Sequence, residues 1–125
     1  MKELTKAEEQ VMQILWQLKK AFVKEIISEM PEPKPAYNTV STIIRILEQK
    51  GFVDHEAFGK TYQYFPIVEK DDYSQFYLNN FLKGYFSGSF ERLVSFFAKE
   101  NELGMKEVDE IMKHVKKNLK EGENE

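Results

Sequence analysis

The stretch that decides the fold of this chain is residues 37–51, which read YNTVSTIIRILEQKG. Its apolar residues recur at positions i, i+3, i+4 and i+7: Val40, Ile43, Ile44 and Leu47. This spacing places them on one face of an amphipathic helix. Gly51 follows where a helix commonly ends, because glycine readily adopts the left-handed conformation of a C′ residue. The stretch therefore predicts a helix, called helix 3 below, that packs one face on a core.

The opposite face of helix 3 carries short hydrogen-bonding side chains and one arginine: Asn38, Thr39, Ser41, Thr42 and Arg45. A face made for solubility alone would be rich in Glu and Lys. Small hydroxyls, amides and Arg are instead typical of a helix that contacts DNA base edges and phosphates. Asn38 has a second interpretation as the N-cap of the helix. Tyr37 either stacks on or touches the nucleic acid, or closes the core.

The length and composition indicate one folded domain, or a small domain with an appendage. The 125 residues are 42% hydrophobic and 31% charged, with 10 Phe and 6 Tyr available for a core. The absence of cysteine excludes disulfides and thiolate metal sites, and it suits a reducing cytoplasm. The first residues lack the apolar segment of a secretory signal, and no apolar run approaches the length of a membrane span. We therefore expect a cytoplasmic protein.

The net charge of −3 counts at first sight against nucleic-acid binding. Its distribution is uneven, however: residues 1–67 contain nine basic and nine acidic side chains, whereas residues 68–125 contain nine basic and twelve acidic ones. A neutral N-terminal half predicts weak non-specific attraction to DNA for one subunit. Tight binding would then require two copies on a two-fold symmetric site.

Two helices are expected before helix 3 and a hairpin after it. Thr5 and Glu8 have the spacing of a capping box, and the apolar pattern that follows predicts a first helix from about residue 6 to 19. A short second helix covers 23–30 and ends at the proline-rich segment 31–35. Aromatic and β-branched residues dominate 52–58 and 61–65, on either side of a Gly-Lys pair. Three helices and a hairpin in this order predict a winged helix-turn-helix with the hairpin as its wing.

Two lysines are candidates for phosphate contacts in that arrangement. Lys60 lies at the tip of the predicted wing, and Lys34 lies in the turn before helix 3. The alternative for each is a side chain that is merely solvated.

The C-terminal half has the pattern of amphipathic helices with a stripe of aromatic rings. About 55 residues bury too little surface as a monomer to cover so many rings, and a core shared by two subunits would solve this. A ligand pocket lined by the rings is the alternative. The residues expected in the dimer core are Tyr73, Phe76, Tyr77, Phe81, Tyr85, Phe90, Leu93, Val94, Phe97, Val108, Ile111, Met112 and Val115.

No pattern of catalytic or metal-binding residues is recognisable. His55 and His114 are far apart in the sequence and lack partners at metal-ligand spacing, so both are expected at the surface. Neither a phosphate-binding glycine loop nor a nucleophile elbow occurs. We therefore expect that the protein is not an enzyme and that it binds neither a metal ion nor a cofactor.

Three motifs together resemble the penicillinase-repressor (BlaI/MecI-type) family. They are Leu4-Thr5-Lys6-Ala7-Glu8 with the apolar residues that follow, Asn38-Thr39-Val40-Ser41-Thr42 through Lys50-Gly51, and Gly59-Lys60-Thr61-Tyr62-Gln63-Tyr64. The resemblance covers most of the chain in matching order. It implies a winged-helix half that binds DNA, a helical half that forms a homodimer, and repression at palindromic operators. In well-known members, a membrane-bound β-lactam sensor triggers proteolytic cleavage in the C-terminal half.

The chain departs from this family at three places. The family usually has Arg at the position of Ile46, and Arg45 precedes it here. The cleavage point, typically Asn-Phe, aligns with Phe96-Phe97, which retains the Phe but not the Asn. Copper-responsive relatives carry C-terminal cysteines that this chain lacks, which excludes thiolate copper sensing.

The sequence thus predicts a mostly α protein with a small β-hairpin, in two parts. Residues 1–67 form a winged helix-turn-helix that binds double-stranded DNA, and residues 68–125 form a helical dimerisation region. The expected function is that of a homodimeric transcriptional repressor on a palindromic operator, inactivated by a sensor protease after a β-lactam or other cell-envelope signal. The alternative is a winged helix that serves as a protein-binding adaptor.

Overall fold

The structure, a computed structural model, describes residues 1–123. Six helices and three strands follow one another along this range. In chain order they are α1 (Lys6–Leu18), β1 (Ala21–Phe22), α2 (Val23–Ser28), α3 (Tyr37–Gln49), β2 (Val53–Phe58), β3 (Thr61–Pro66), α4 (Lys70–Phe86), α5 (Phe90–Glu100) and α6 (Met105–Glu123). The mostly helical fold with a β-hairpin is therefore confirmed.

The chain divides into two compact units, of which the first runs from Met1 to Leu78. In this unit the hairpin strands β2 and β3 pair antiparallel across the Gly59-Lys60 turn, with His55 opposite Tyr64. The strand order is β1-β3-β2. Strand β1 was not expected from the sequence: it has two residues, and Ala21 pairs with Tyr64. The wing hairpin thus supplies two strands of a three-stranded sheet, with β3 in the middle and β2 at one edge.

The core of the first unit comes from one face of each of its helices. Val40, Ile44 and Leu47 of α3 are fully buried, as the spacing predicted. They join apolar residues of α1 and α2 and Phe52, which precedes the hairpin. Burying each such side chain contributes about 1.5–3 kcal/mol, so this core holds α3 firmly against the rest of the unit.

The ends of α1 and α3 show how local sequence sets the helix boundaries. The amide of Glu8 donates to Thr5 Oγ1 (3.2 Å) and the amide of Thr5 donates to Glu8 Oε1 (2.9 Å), which is the expected capping box. Gly51 has a φ of 82°, as expected for a residue that follows a helix. The suggestion that Asn38 caps α3 is wrong: the N-cap is Ala36, without a side-chain hydrogen bond, and Asn38 lies inside the first turn.

A buried ion pair ties the start of α1 to the end of α3. Lys50 Nζ lies 2.8 Å from both carboxylate oxygens of Glu8, whose side chain is only 5% exposed. Burial on its own raises the pKa of Glu8, but the hydrogen bonds from Lys50 and Thr5 outweigh it and leave the pKa below its usual value. The pair therefore anchors the C-terminal end of α3.

Helix α4 begins in the first unit, and its first two turns belong to that unit's core. Tyr73 is 4% exposed, its ring lies beside Trp16 and Phe52, and its hydroxyl accepts the amide hydrogen of Leu4 at 2.9 Å. Phe76 packs against the same core. Tyr73 has no surface left for a second subunit, so its expected place in a dimer interface is corrected. The packing of buried Tyr73 and partly buried Phe76 against this core explains why the first unit extends to Leu78.

The second unit runs from Asn79 and contains the end of α4 with α5 and α6. Helix α4 ends just before Ser87-Gly88, two residues with positive φ. Ser89 then caps α5, its hydroxyl accepting the amide hydrogen of Arg92 at 3.2 Å. A turn at 101–104 leads into α6. This unit has few buried side chains: within α5 none is buried.

Candidate nucleic-acid interface

Helix α3 exposes a continuous polar stripe. Its buried residues occupy one face, and the residues at positions i, i+4, i+7 and i+11 on the other face are exposed: Asn38, Thr42, Arg45 and Gln49. Thr39 is also exposed and Ser41 is half-buried. Gln49 was not among the predicted residues, although its spacing from Thr42 and Arg45 places it in the same stripe. An amide at this position can form two hydrogen bonds with adenine.

Two side chains of the stripe bond to their own helix in the free protein. The hydroxyl of Thr42 donates to the carbonyl of Asn38 at 2.8 Å. The guanidinium of Arg45 donates to the carbonyl and the hydroxyl of Ser41, both at 3.4 Å. Bonds of 3.4 Å are long and weak, so Arg45 can leave them for a stronger acceptor at little cost.

A cleft of about 570 Å³ lies between α3, the start of α2 and the hairpin, all within the first unit. Arg45 and Ser41 of α3 line one side, and Lys60 and Tyr62 of the hairpin line another. Lys24 of α2 adds a third cation to the wall, and Glu25 and Glu48 add two carboxylates. Ser41 and Arg45 of α3 and Lys60 of the wing are therefore neighbours around one concave surface, whereas Asn38, Thr39 and Thr42 are not part of its lining.

Tyr37 lines this cleft at the first position of α3 and is 46% exposed. Of its two interpretations, the structure favours the one in which the ring is available to a partner over the one in which it closes the core.

The tip of the wing is formed by the Gly59-Lys60 turn. Gly59 has a φ of 64°, a conformation that glycine adopts without strain, and Lys60 beside it is exposed. Phe58 is 48% exposed and meets Phe22 edge to face, with ring centroids 5.8 Å apart. This aromatic contact holds the hairpin against β1, so Lys60 projects from a supported loop.

Lys34 is not merely solvated, because it has hydrogen-bond partners within the protein. Its ammonium donates to the carbonyls of Ser28 (2.9 Å) and Met30 (2.6 Å), at the end of α2. It thereby satisfies carbonyls that a helix end leaves without partners. Two of the three ammonium hydrogens of Lys34 are used in this way and stabilise the turn between α2 and α3. One hydrogen remains for a phosphate.

His55 is not the isolated surface residue that the sequence suggested. Its Nδ1 hydrogen-bonds to Glu48 of α3, and its ring stacks on Tyr62 with centroids 4.2 Å apart. Asp54 Oδ1 accepts the His55 amide hydrogen at 2.8 Å. Among the described residues, Glu48, Asp54 and His55 are the one group of three side chains whose potential metal-ligating atoms lie close together. Because Glu48 belongs to α3 and His55 to β2, their hydrogen bond joins the helix to the strand. His114 is exposed on α6.

The second unit presents an apolar cleft of about 320 Å³ between α5 and α6. Several residues that line this cleft are largely exposed to solvent: Phe90 is 59%, Phe97 56% and Ile111 50% exposed. All of its lining residues are apolar: Phe90, Leu93, Val94, Phe97, Ala98, Leu103, Val108, Ile111, Met112 and Val115. These include eight of the residues predicted for the dimer core.

Other residues expected in the dimer core differ in exposure. Tyr77 is 43% and Tyr85 77% exposed, whereas Phe81 is half-buried and its ring lies 5.1 Å from that of Tyr85. Phe96, the first residue of the expected cleavage point, lies on α5 with its ring 5.5 Å from that of Phe86. The expected cleavage point is thus inside a helix rather than in a loop.

Comparison with known proteins identifies relatives along most of the chain. The family model described as penicillinase repressor matches residues 4–117. The methicillin resistance regulatory protein MecI of Staphylococcus aureus (strain N315) is 34% identical over 110 residues, which are 87% of this chain and 89% of MecI. The penicillinase repressor of Bacillus licheniformis is 24% identical over 110 residues, 87% of this chain and 86% of that protein.

Solved structures agree with the winged-helix description of the first unit. The DNA-binding domain of the repressor BlaI superimposes with a TM-score of 0.50 at 27% identity, covering 58% of this chain and 94% of that domain. Among the described residues, no helix combines the length and the apolar character needed to cross a bilayer. The motifs, the winged-helix fold and the match over residues 4–117 agree: this chain belongs to the penicillinase repressor family, whose members are transcriptional repressors and not enzymes.

Proposed function

We propose that this protein represses transcription as a homodimer that binds double-stranded DNA at a two-fold symmetric operator. The observation that carries the proposal is the exposed polar stripe of α3 beside the wing, with Arg45 and Lys60 around one cleft. A helix and a neighbouring loop of this kind fit a major groove and the adjacent phosphates. The residues assigned to DNA are Tyr37, Asn38, Thr39, Ser41, Thr42, Arg45 and Lys60, together with Gln49, while Lys34 supports the turn.

The electrostatics of the first unit favour two copies over one. Residues 1–67 contain nine acidic and nine basic side chains, and the whole unit to Leu78 contains twelve acidic and ten basic ones, so one subunit gains little from non-specific attraction to phosphates. Two linked copies bind with a high effective concentration, since the second contact becomes intramolecular. The apolar cleft of the second unit offers the surface for such a link, because isolated soluble subunits rarely leave large contiguous apolar patches in water. The proposal includes the assignment of DNA binding to residues 1–67 and of dimerisation to residues 68–125.

Binding of the full-length protein to a fluorescent duplex from its own upstream region tests the DNA proposal, with salt and a scrambled competitor as variables. We expect tight, competitor-resistant binding. Replacement of Arg45 by Ala should weaken specific binding by about 1–3 kcal/mol if the side chain bonds to a guanine edge. Arg92→Ala, on the exposed surface of α5, is the matched control. Equal loss of binding to both duplexes by about 0.2 M salt would reduce the interaction to phosphate attraction and favour a protein-binding adaptor.

Release of repression by proteolysis is the second part of the proposal. A membrane-bound sensor protease that responds to a β-lactam or another cell-envelope signal would cut at Phe96-Phe97. Both side chains are more than half exposed, but they lie in α5, and cleavage of a helix requires local unwinding. Such a cut would remove part of α5 and all of α6 from the apolar cleft. A chain that ends at Phe96 should therefore sediment as a monomer and lose operator binding, and a stable truncated dimer would contradict the mechanism.

A further inference from the structure

Ile46 is an apolar side chain on the polar stripe of α3. It is 38% exposed and lies one turn after Thr42 and one turn before Gln49. Val40, Ile44 and Leu47 of the same helix are fully buried. Ile43 packs against the core from the edge of the buried face. Ile46 is thus the large apolar side chain in the middle of α3 that the fold leaves more than a third exposed.

We propose that Ile46 determines operator sequence by contacting the C5-methyl group of a thymine. This inference rests on the proposed function, in which α3 lies in the major groove. Hydrogen-bond donors and acceptors make up the rest of the major-groove edges, and the thymine methyl is the apolar group that the groove presents. An exposed isoleucine on a groove-reading helix therefore fits a thymine better than a base without a methyl group.

The neighbour of Ile46 supports an apolar contact at this end of the stripe. The hydroxyl hydrogen of Thr42 is already donated to the carbonyl of Asn38 at 2.8 Å. Thr42 therefore offers a base its methyl group and its oxygen lone pairs, but not its hydroxyl hydrogen. One row of α3 side chains has members four residues apart: Asn38, Thr42 and Ile46. Along about 12 Å of helix, this row presents an amide, then a methyl group, then a larger aliphatic side chain. That length corresponds to roughly three to four base-pair steps.

A thymine-to-deoxyuridine exchange tests this contact, because it removes the C5-methyl and leaves every hydrogen-bonding group in place. The bound duplex is first selected from a randomised pool with the full-length protein, and each thymine in one half-site is then replaced in turn. For the wild type we expect about fourfold weaker binding at one position, the effect of removing one buried methyl group. For Ile46→Ala we expect weaker binding to the thymine duplex and no further loss with deoxyuridine at that position.

Ile67→Ala is the matched control, since Ile67 is 53% exposed, follows strand β3 and lies outside α3. It should keep the full sensitivity of the wild type to deoxyuridine. If the wild type binds specifically but no single exchange weakens it, the inference is wrong and the proposed function stands. The same holds if Ile46→Ala remains as sensitive as the wild type, because another side chain then reads the methyl. If the selection enriches no sequence, the proposed function fails and this inference fails with it.

Discussion

Replacement of Lys50 by Met isolates the ion pair that anchors the end of α3. In the wild type, Lys50 Nζ donates to both oxygens of a Glu8 carboxylate that is 5% exposed, while Lys50 itself remains 25% exposed. Methionine keeps most of the aliphatic length but leaves the carboxylate buried with only its Thr5 partner. Removing one partner of a fully buried pair costs about 3–5 kcal/mol, and a hydrogen bond to a charged group contributes about 1.5–3 kcal/mol. Because Lys50 is partly solvated, we expect a loss of about 2 kcal/mol.

Thermal unfolding measured by circular dichroism is the assay. A loss of about 2 kcal/mol lowers Tm by roughly 8–16 °C in a unit of this size. The loss should depend on pH in a defined direction. The fold lowers the pKa of Glu8, so the ion pair contributes fully above the carboxyl's unfolded pKa and is lost as the pH falls through the folded pKa. The difference between wild type and Lys50→Met should therefore shrink below about pH 4.

Two further variants decide whether the ion pair is the cause. Lys20→Met removes an exposed lysine of the same unit and should leave Tm nearly unchanged. Adding Glu8→Gln to Lys50→Met removes the stranded charge and keeps an acceptor for the Thr5 amide, so it should restore at least half of the loss. A deficit that is the same at pH 7 and pH 3, or a double variant less stable than Lys50→Met, would refute the reasoning.

Three other changes address the wing, the dimer and the end of α3. Lys60→Ala should lower the slope of log affinity against log salt by about 1 per subunit while weakening all DNA sequences alike, and an unchanged slope would remove Lys60 from the phosphate contacts. Ile111→Asp should convert the proposed dimer to monomer in sedimentation, since it places a carboxylate in the apolar cleft, whereas Lys113→Asp, roughly opposite on α6, should not. Gly51→Ala should lower the unfolding free energy by about 1–2 kcal/mol, because φ is 82° while no atom lies within 4 Å of the new methyl group; a neutral result would show that the helix end adjusts.

Strong local patterns in the sequence predicted the elements that carry the candidate interface. The capping box at Thr5 and the i, i+3, i+4, i+7 spacing of α3 are signals that neighbouring residues create together, and the structure confirms both. The hairpin was recognisable for the same reason, since Gly59 separates two runs of strand-forming residues. These features depend on residues within one or two turns of each other.

Features that depend on distant partners were not predictable in this way. Strand β1 exists because Ala21 meets Tyr64 across the sheet, and two residues carry no period of their own. Glu8 was explained by its cap alone, while its second partner lies 42 residues away. Tyr73 belongs to an aromatic stripe that reads as one surface, yet its side chain turns into the first unit's core. In each case the structure adds a tertiary contact that local spacing does not encode.

The internal hydrogen bonds of Thr42 and Arg45 bear on how the protein searches a genome. On non-matching DNA these side chains can remain bonded to their own helix, so a wrong base pair leaves no polar group of theirs stranded. In the proposed interface, early contact would then rest on Lys60 and other phosphate-directed groups, which do not distinguish one sequence from another. Breaking the two long hydrogen bonds of Arg45 would be energetically favourable where a guanine edge accepts a bidentate contact in their place. Residence time, rather than the frequency of encounter, would then distinguish the operator from the rest of the chromosome.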